Sequence, residues 1–221
     1  SGHDPADYVV ERIDAPASDG ALIPVTMVRH RTTPVDGSAP VLLYGYGAYG
    51  ITIDAEFRTA RLSLVNRGFI YAVADVRGSM AKGYQWYLDG KLEKKINTFT
   101  DFIAAGEWLI ANKYTQTARL AIEGASNGGL LVAACLLQRP DLFGAALCEV
   151  PVIDMLRFHK FTAGRFWTPE YGNPDQADAF KFLLAYSPYH TIKAGVAHPP
   201  TLIMTADSDD RVVPMHAFKF A

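Results

Sequence analysis

Leu120-Ala121-Ile122-Glu123-Gly124-Ala125-Ser126-Asn127-Gly128-Gly129 is the stretch on which the reading of this chain turns. An apolar run, Leu120 to Ile122, meets a turn with a glycine two residues before and two after a serine. An apolar helix is predicted from about 129 to 138, stopped by Pro140. The serine thus sits where a strand bends sharply into a helix. Such a bend forces an unusual backbone on the central residue and crowds its neighbours, and glycines on either side relieve the crowding. The hydroxyl is left at the tip, where the amide end of the helix favours negative charge. The plain alternative is a serine capping an ordinary helix after a glycine turn.

Outward from that turn the pattern repeats. Val41 to Tyr44 is a short apolar run ending in Gly45-Tyr46-Gly47-Ala48-Tyr49-Gly50, and Phe69 to Val76 is another, ending at Arg77-Gly78. Ala145 to Val150 and Thr201 to Thr205 add two more buried strands, and residues 22 to 29 alternate like a half-buried one. Residues 31 to 39 read as a loop. Apolar or small residues at 99, 102, 103, 106, 109 and 110 predict an amphipathic helix over 98–111, with Asn97 or Thr98 as its cap and Asp101 in its first turn. Strands alternating with helices imply βα units and a mainly parallel sheet with helices on both faces. Working residues belong at the carboxyl ends of such strands. The turns after Tyr44, Ile122 and Thr205 all fall there.

The 221 residues suit one core, taken as a single domain over 1–221. Composition is that of an ordinary globular protein: 49% hydrophobic, 20% charged and a net charge of −2, without runs of one sign. No basic stripe for nucleic acid and no membrane span or signal architecture is read. Cys135 and Cys148 read as buried thiols, and a cytoplasmic setting follows as the default. No metal or organic cofactor is implied, for want of ligand spacing or a P-loop lysine.

A strand-Gly124-x-Ser126-x-Gly128-helix unit is the nucleophile turn of an α/β-hydrolase-type fold. Serine needs a base, and the base needs an acid to orient it. In this fold the order is serine, acid, histidine. The acid is sought among Asp207, Asp209 and Asp210, after the strand 201–205, and spacing alone does not choose between them. One or two of these could instead cap the helix beginning near Val213. The base is not found: His216 falls on that helix, His159 and His190 lie between strands, and His3, His30 and His198 read as loop or strand-end residues. The chain is therefore expected to stop before the last strand and the histidine. An unpaired edge and apolar face would then be covered by a second copy or a companion segment.

Three strings, Gly124 to Val132, Arg139 to Phe143 and Thr205 to Pro214, resemble the prolyl oligopeptidase family of serine peptidases. The front half, with Tyr44 to Gly50 and Gln85 to Lys91, is more similar to its relative oligopeptidase B. The resemblance implies Ser126 as nucleophile, Asp209 as acid, and Tyr46 with the Asn127 N–H as oxyanion donors. It further implies Trp167 stacking on a substrate proline, Tyr171, Val152 and Tyr49 lining that pocket, and Arg211 holding a substrate carbonyl. A flat indole in apolar walls suits an imino-acid ring and disfavours a charged side chain. Ala125 replaces the family's usual glycine, and the propeller domain is missing. The expected function is endopeptidase cleavage of short peptides after proline through an acyl-enzyme. The alternatives are cleavage after Lys or Arg, carboxylesterase activity, and an inert fragment without its base.

Overall fold

The computed structural model describes residues 2–54, 56 and 58–221. Seven strands form one sheet: β1 (Tyr8–Pro16), β2 (Leu22–His30), β3 (Val41–Gly45), β4 (Ile70–Ala74), β5 (Leu120–Ala125), β6 (Ala145–Glu149) and β7 (Thr201–Met204). Their order is β1-β2-β4-β3-β5-β6-β7. β1 and β2 run antiparallel at one edge, and every pairing from β4 across to β7 is parallel. The helices are α1 (Thr59–Val65), α2 (Tyr84–Leu88), α3 (Ile96–Ala111), α4 (Asn127–Gln138), α5 (Thr168–Tyr171), α6 (Ala177–Tyr186), α7 (Pro188–Thr191) and α8 (Met215–Phe220).

The alternation of side chains along each strand sorts the apolar residues into two cores. Val41, Leu43, Ile70, Ala72, Leu120, Ile122 and Cys148 face the larger one, shared with Phe99, Phe102 and Leu109 of α3 and the buried run Leu130–Leu136 of α4. Leu42, Tyr71 and Val73 point the other way and meet Leu62 and Val65 of α1. Helices thus cover both faces, as a parallel sheet requires. Both cysteines are buried thiols, and burial alone holds Cys148 up at about 12.

Two expectations need correction. Helix α3 starts at Ile96, so neither Asn97 nor Thr98 caps it; the buried Thr98 hydroxyl donates to Arg77 O at 2.8 Å. Asp101 lies beyond the first turn. It is fully buried and takes the Arg77 guanidinium at 2.5 and 2.9 Å. Strand β1 has no counterpart in the sequence reading, because Glu11, Arg12 and Asp14 break its apolar pattern. As an edge strand it leaves most of its residues partly or fully exposed.

Candidate active site

Parallel pairing aligns the carboxyl ends of β3, β5, β6 and β7 along one rim. Ser126 follows β5 directly, with φ 59° and ψ −114°, a region that non-glycine residues rarely adopt. Sterics account for the glycines around it. A Cβ on Gly124 would lie 2.3 Å from Gly128 O, and one on Gly128 would lie 2.7 Å from Gly45 O. The second contact brings the start of α4 against the turn after β3. It is why Tyr46, far away in sequence, reaches Ser126.

The Ser126 N–H is anchored on Glu149 O at 2.9 Å, and the Tyr46 hydroxyl lies near enough to the Ser126 side chain for the two to interact. Burial raises the Tyr46 hydroxyl above its ordinary range, with Arg211 acting the other way and Glu170 in the same direction. Tyr46 is therefore a neutral donor at pH 7. The Asn127 N–H opens α4 and has no intrahelical acceptor. The buried Asn127 side chain donates through Nδ2 to Tyr46 O and accepts the Tyr171 hydroxyl at 2.7 Å.

Asp209 lies in the turn after β7, two strands from Ser126 on the same rim. At about 4.8 Å per strand, β5 and β7 stand about 10 Å apart. Its Oδ1 accepts the N–H groups of Arg211 and Val212, each at 2.9 Å, and Oδ2 takes no donor among the described residues. The Arg211 side chain is exposed, makes no ion pair among the described residues, and is close enough to act on Tyr46 and Tyr49.

The aromatic residues gather beside this rim. Trp167 stacks on Phe158, centroids 6.4 Å apart and planes at 13°, and stays partly exposed. Tyr49 is 39% exposed and meets Tyr171 edge-on at 6.1 Å. Burial lifts its hydroxyl above the ordinary range. Val152 and Tyr171 are each only 1% exposed, so they back the cluster from beneath.

The histidines point elsewhere. His216 is buried, its Nδ1 accepting the N–H groups of Ile153 and Asp154 at 3.2 and 3.1 Å, so Nε2 carries the proton. His190 lies on Ser187, His159 on Asp175, and His30 on Thr32. His3 reaches Tyr8, and His198 is exposed ahead of β7, at the other end of that strand. No histidine hydrogen-bonds Ser126 among the described residues. A cavity of about 820 Å³ lies apart from all of this, lined by residues including Tyr8, Arg12, Arg61, Tyr71 and Asp75.

Sequence reasoning missed two buried charges behind the Tyr46 turn, Lys95 and Glu170. No residue spacing marks Lys95. Glu170 is close to Trp167 in sequence, but no spacing assigns it a role.

A sheet of this order with a strained serine between β5 and α4 defines an α/β-hydrolase domain. The family model described as the prolyl oligopeptidase family matches residues 55–221, and the chain belongs to that family. It is 45% identical to prolyl oligopeptidase A of Galerina marginata and 43% identical to a prolyl endopeptidase of Elizabethkingia miricola, over 100% and 98% of this chain. It spans 30% and 31% of the length of those curated relatives. Among solved structures, a chain from a study of two prolyl endopeptidases superposes with TM-score 0.97 at 48% identity, covering 99% of this chain and 32% of that one. Prolyl oligopeptidase B from Galerina marginata, bound to a 35mer hydrolysis and macrocyclization substrate, gives TM-score 0.97 at 42% identity, covering 100% of this chain and 31% of that one.

Proposed function

We propose that this chain carries the nucleophile and the acid of a serine endopeptidase that cleaves short peptides after proline. The observation behind it is Ser126, held at positive φ between β5 and α4, with the Tyr46 turn bound to the first residue of α4 through Asn127 Nδ2 and Tyr46 O. In this reading an imidazole oriented by Asp209 Oδ2 takes the Ser126 proton as Oγ attacks the scissile carbonyl. The oxyanion that forms is met by Tyr46 and the Asn127 N–H, one such donor being worth about 2.7–4 kcal/mol. The amine then leaves with the proton from the imidazolium, and water releases the acyl group by the same route. The imidazole comes from a histidine other than the six placed here. The full-length relatives are far longer than this chain.

Cleavage after Lys or Arg would want a free acid at the pocket, and the bonds of Glu170 and Glu149 favour proline instead. Glu170 is only 2% exposed; Oε1 accepts Tyr49 N–H at 3.1 Å and Oε2 accepts the Tyr87 hydroxyl at 2.9 Å. It has little capacity left for a substrate cation. Glu149 faces Glu123, whose carboxyl is pushed up to about 7 by burial first and by Glu149 second. That pair lies on the sheet, away from the aromatic cluster. Trp167, Tyr49 and the underlying Tyr171 and Val152 offer flat apolar surface, and Arg211 a free donor pair for a substrate carbonyl.

The same reading places a covering segment or second copy over the β7 edge, where Leu202 is 54% exposed, and sets the protein in the cytoplasm. The test is turnover of paired fluorogenic peptides, proline-type and arginine-type, by the natural polypeptide that carries these residues. Preference for the proline substrate is expected. Faster turnover of the arginine substrate, or hydrolysis of a short nitrophenyl ester alone, refutes the assignment.

A further inference from the structure

Three backbone groups of the Tyr46 turn are gripped by buried polar side chains from three separate parts of the chain. Asn127 Nδ2 donates to Tyr46 O. Lys95 Nζ donates to Gly47 O at 2.5 Å. Glu170 Oε1 accepts from Tyr49 N at 3.1 Å. Gly47 and Tyr49 both have positive φ, at 77° and 57°. Tyr49 in particular occupies a region unfavourable for an aromatic residue, and its N–H is fixed there by the carboxylate.

Lys95 and Glu170 are 0% and 2% exposed and stand 3.9 Å apart, Nζ to Oε1. Burying such a pair is costly, and an apolar pair of similar volume is often no less stable. Stability is therefore a weak reason for it. Location is a better one. Glu170 lies on α5, between Trp167 and Tyr171, so one carboxylate joins the aromatic segment to the turn that carries Tyr46. Its second oxygen takes the Tyr87 hydroxyl, which in turn accepts from Lys91 Nζ at 2.9 Å. The ammonium of Lys95 also lies 5.7 Å from the centre of the Tyr171 ring. Desolvation pulls Lys95 down to about 8, with Glu170 opposing, so it is still largely charged at pH 7.

We infer that Lys95 and Glu170 are positioning residues for the oxyanion donor: they lock the 46–49 turn so that the Tyr46 hydroxyl stays over Ser126, and they tie that lock to the Trp167–Tyr171 segment. The inference rests on the reading of Tyr46 as an oxyanion donor. Neither side chain touches substrate. A displacement of the donor by about 1 Å is enough to cost on the order of a hundredfold in rate.

The test is a double-mutant cycle in the natural polypeptide, with Glu170→Gln, Lys95→Met and Tyr46→Phe measured singly and in pairs, and folding checked by circular dichroism. Glu170→Gln keeps the shape but removes the charge opposite Lys95 and loosens the lock, so it carries the test if Lys95→Met does not fold. In the parent, Glu170→Gln and Lys95→Met are each expected to lower kcat by about tenfold to a hundredfold with KM nearly unchanged. In the Tyr46→Phe background the same substitutions are expected to cost less than twofold, because the donor they position is gone. An undiminished loss in that background, or a loss confined to KM, overturns the inference. Any amide that the parent turns over can serve, since Tyr46 meets every carbonyl alike. A parent that prefers arginine peptides refutes the proline assignment while leaving the cycle readable. If the parent cleaves no peptide, the cycle is read from the rate at which a fluorophosphonate labels Ser126, and absence of labelling overturns both readings.

Discussion

The turn that carries Ser126 and the turn that carries Asp209 stand on the same rim but are held in different ways. Around Ser126 the backbone has almost no freedom. Glycines at 45, 124 and 128 touch backbone or core, the Ser126 N–H is tied to β6, and Asn127 is buried. Around Asp209 most residues are exposed, and the holding bonds are largely local, from Asp209 N to Ala206 O and from Arg211 and Val212 N to Oδ1. One longer-range bond, from the Thr162 hydroxyl to Asp210 O, reaches it. The Ser126 turn is thus fixed by packing and the Asp209 turn mainly by its own bonds. Rate should suffer from changes in either turn, stability mainly from changes in the first.

Four substitutions in the natural polypeptide sharpen or break that contrast. Ser126→Ala is expected to remove about 10⁶ from kcat, as loss of a triad serine does elsewhere, with no loss of stability. Asp209→Asn should lower kcat by about 10⁴ and leave the urea midpoint almost unmoved, since its backbone acceptor survives. Equal destabilisation by Asp209→Asn and Gly128→Ala would erase the distinction. Tyr46→Phe should lower kcat by about 10² to 10³ while KM changes little. Gly128→Ala forces a Cβ against Gly45 O, so it should destabilise by about 1–3 kcal/mol, read as a lower urea midpoint, and also reduce kcat.

The last effect concerns pH. Burial pushes His216 down to about 4, with Asp154 pulling up and Lys219 pushing down. An unfolded chain takes up a proton near pH 6.5 that the folded one refuses until about 4. The His216 contribution is thus fully present above pH 6.5 and is lost as pH falls toward 4, by at most about 3 kcal/mol. His216→Asn, which does not titrate, should flatten the fall of the urea midpoint over that window. An unchanged slope would contradict the assignment.

The local turn was legible in the sequence because its cause is local: two glycines, a serine and the apolar runs on either side. The parallel strands were legible because each is a short, nearly continuous apolar run, although β7, read as buried, is exposed or half-buried along its whole length. What escaped is what depends on distant partners. Thr98 and Asp101 look like helix-start residues until Arg77 is seen folded against them. Lys95, in a charged string from Lys91 to Lys95, reads as solvated, yet it is fully enclosed by the Gly47 carbonyl, Glu170 and the ring of Tyr171. Among the site residues, Trp167, Arg211 and Tyr49 owe their assignment to resemblance, since no spacing rule brings α5 and the 211 turn beside Tyr46.

The most direct test is treatment of the natural polypeptide with a fluorophosphonate, followed by mass mapping of the adduct. A single phosphonylated residue at Ser126, absent from Ser126→Ala, is the result expected of a hydroxyl activated at this bend. Modification at another serine, or equal labelling of the alanine variant, would contradict it.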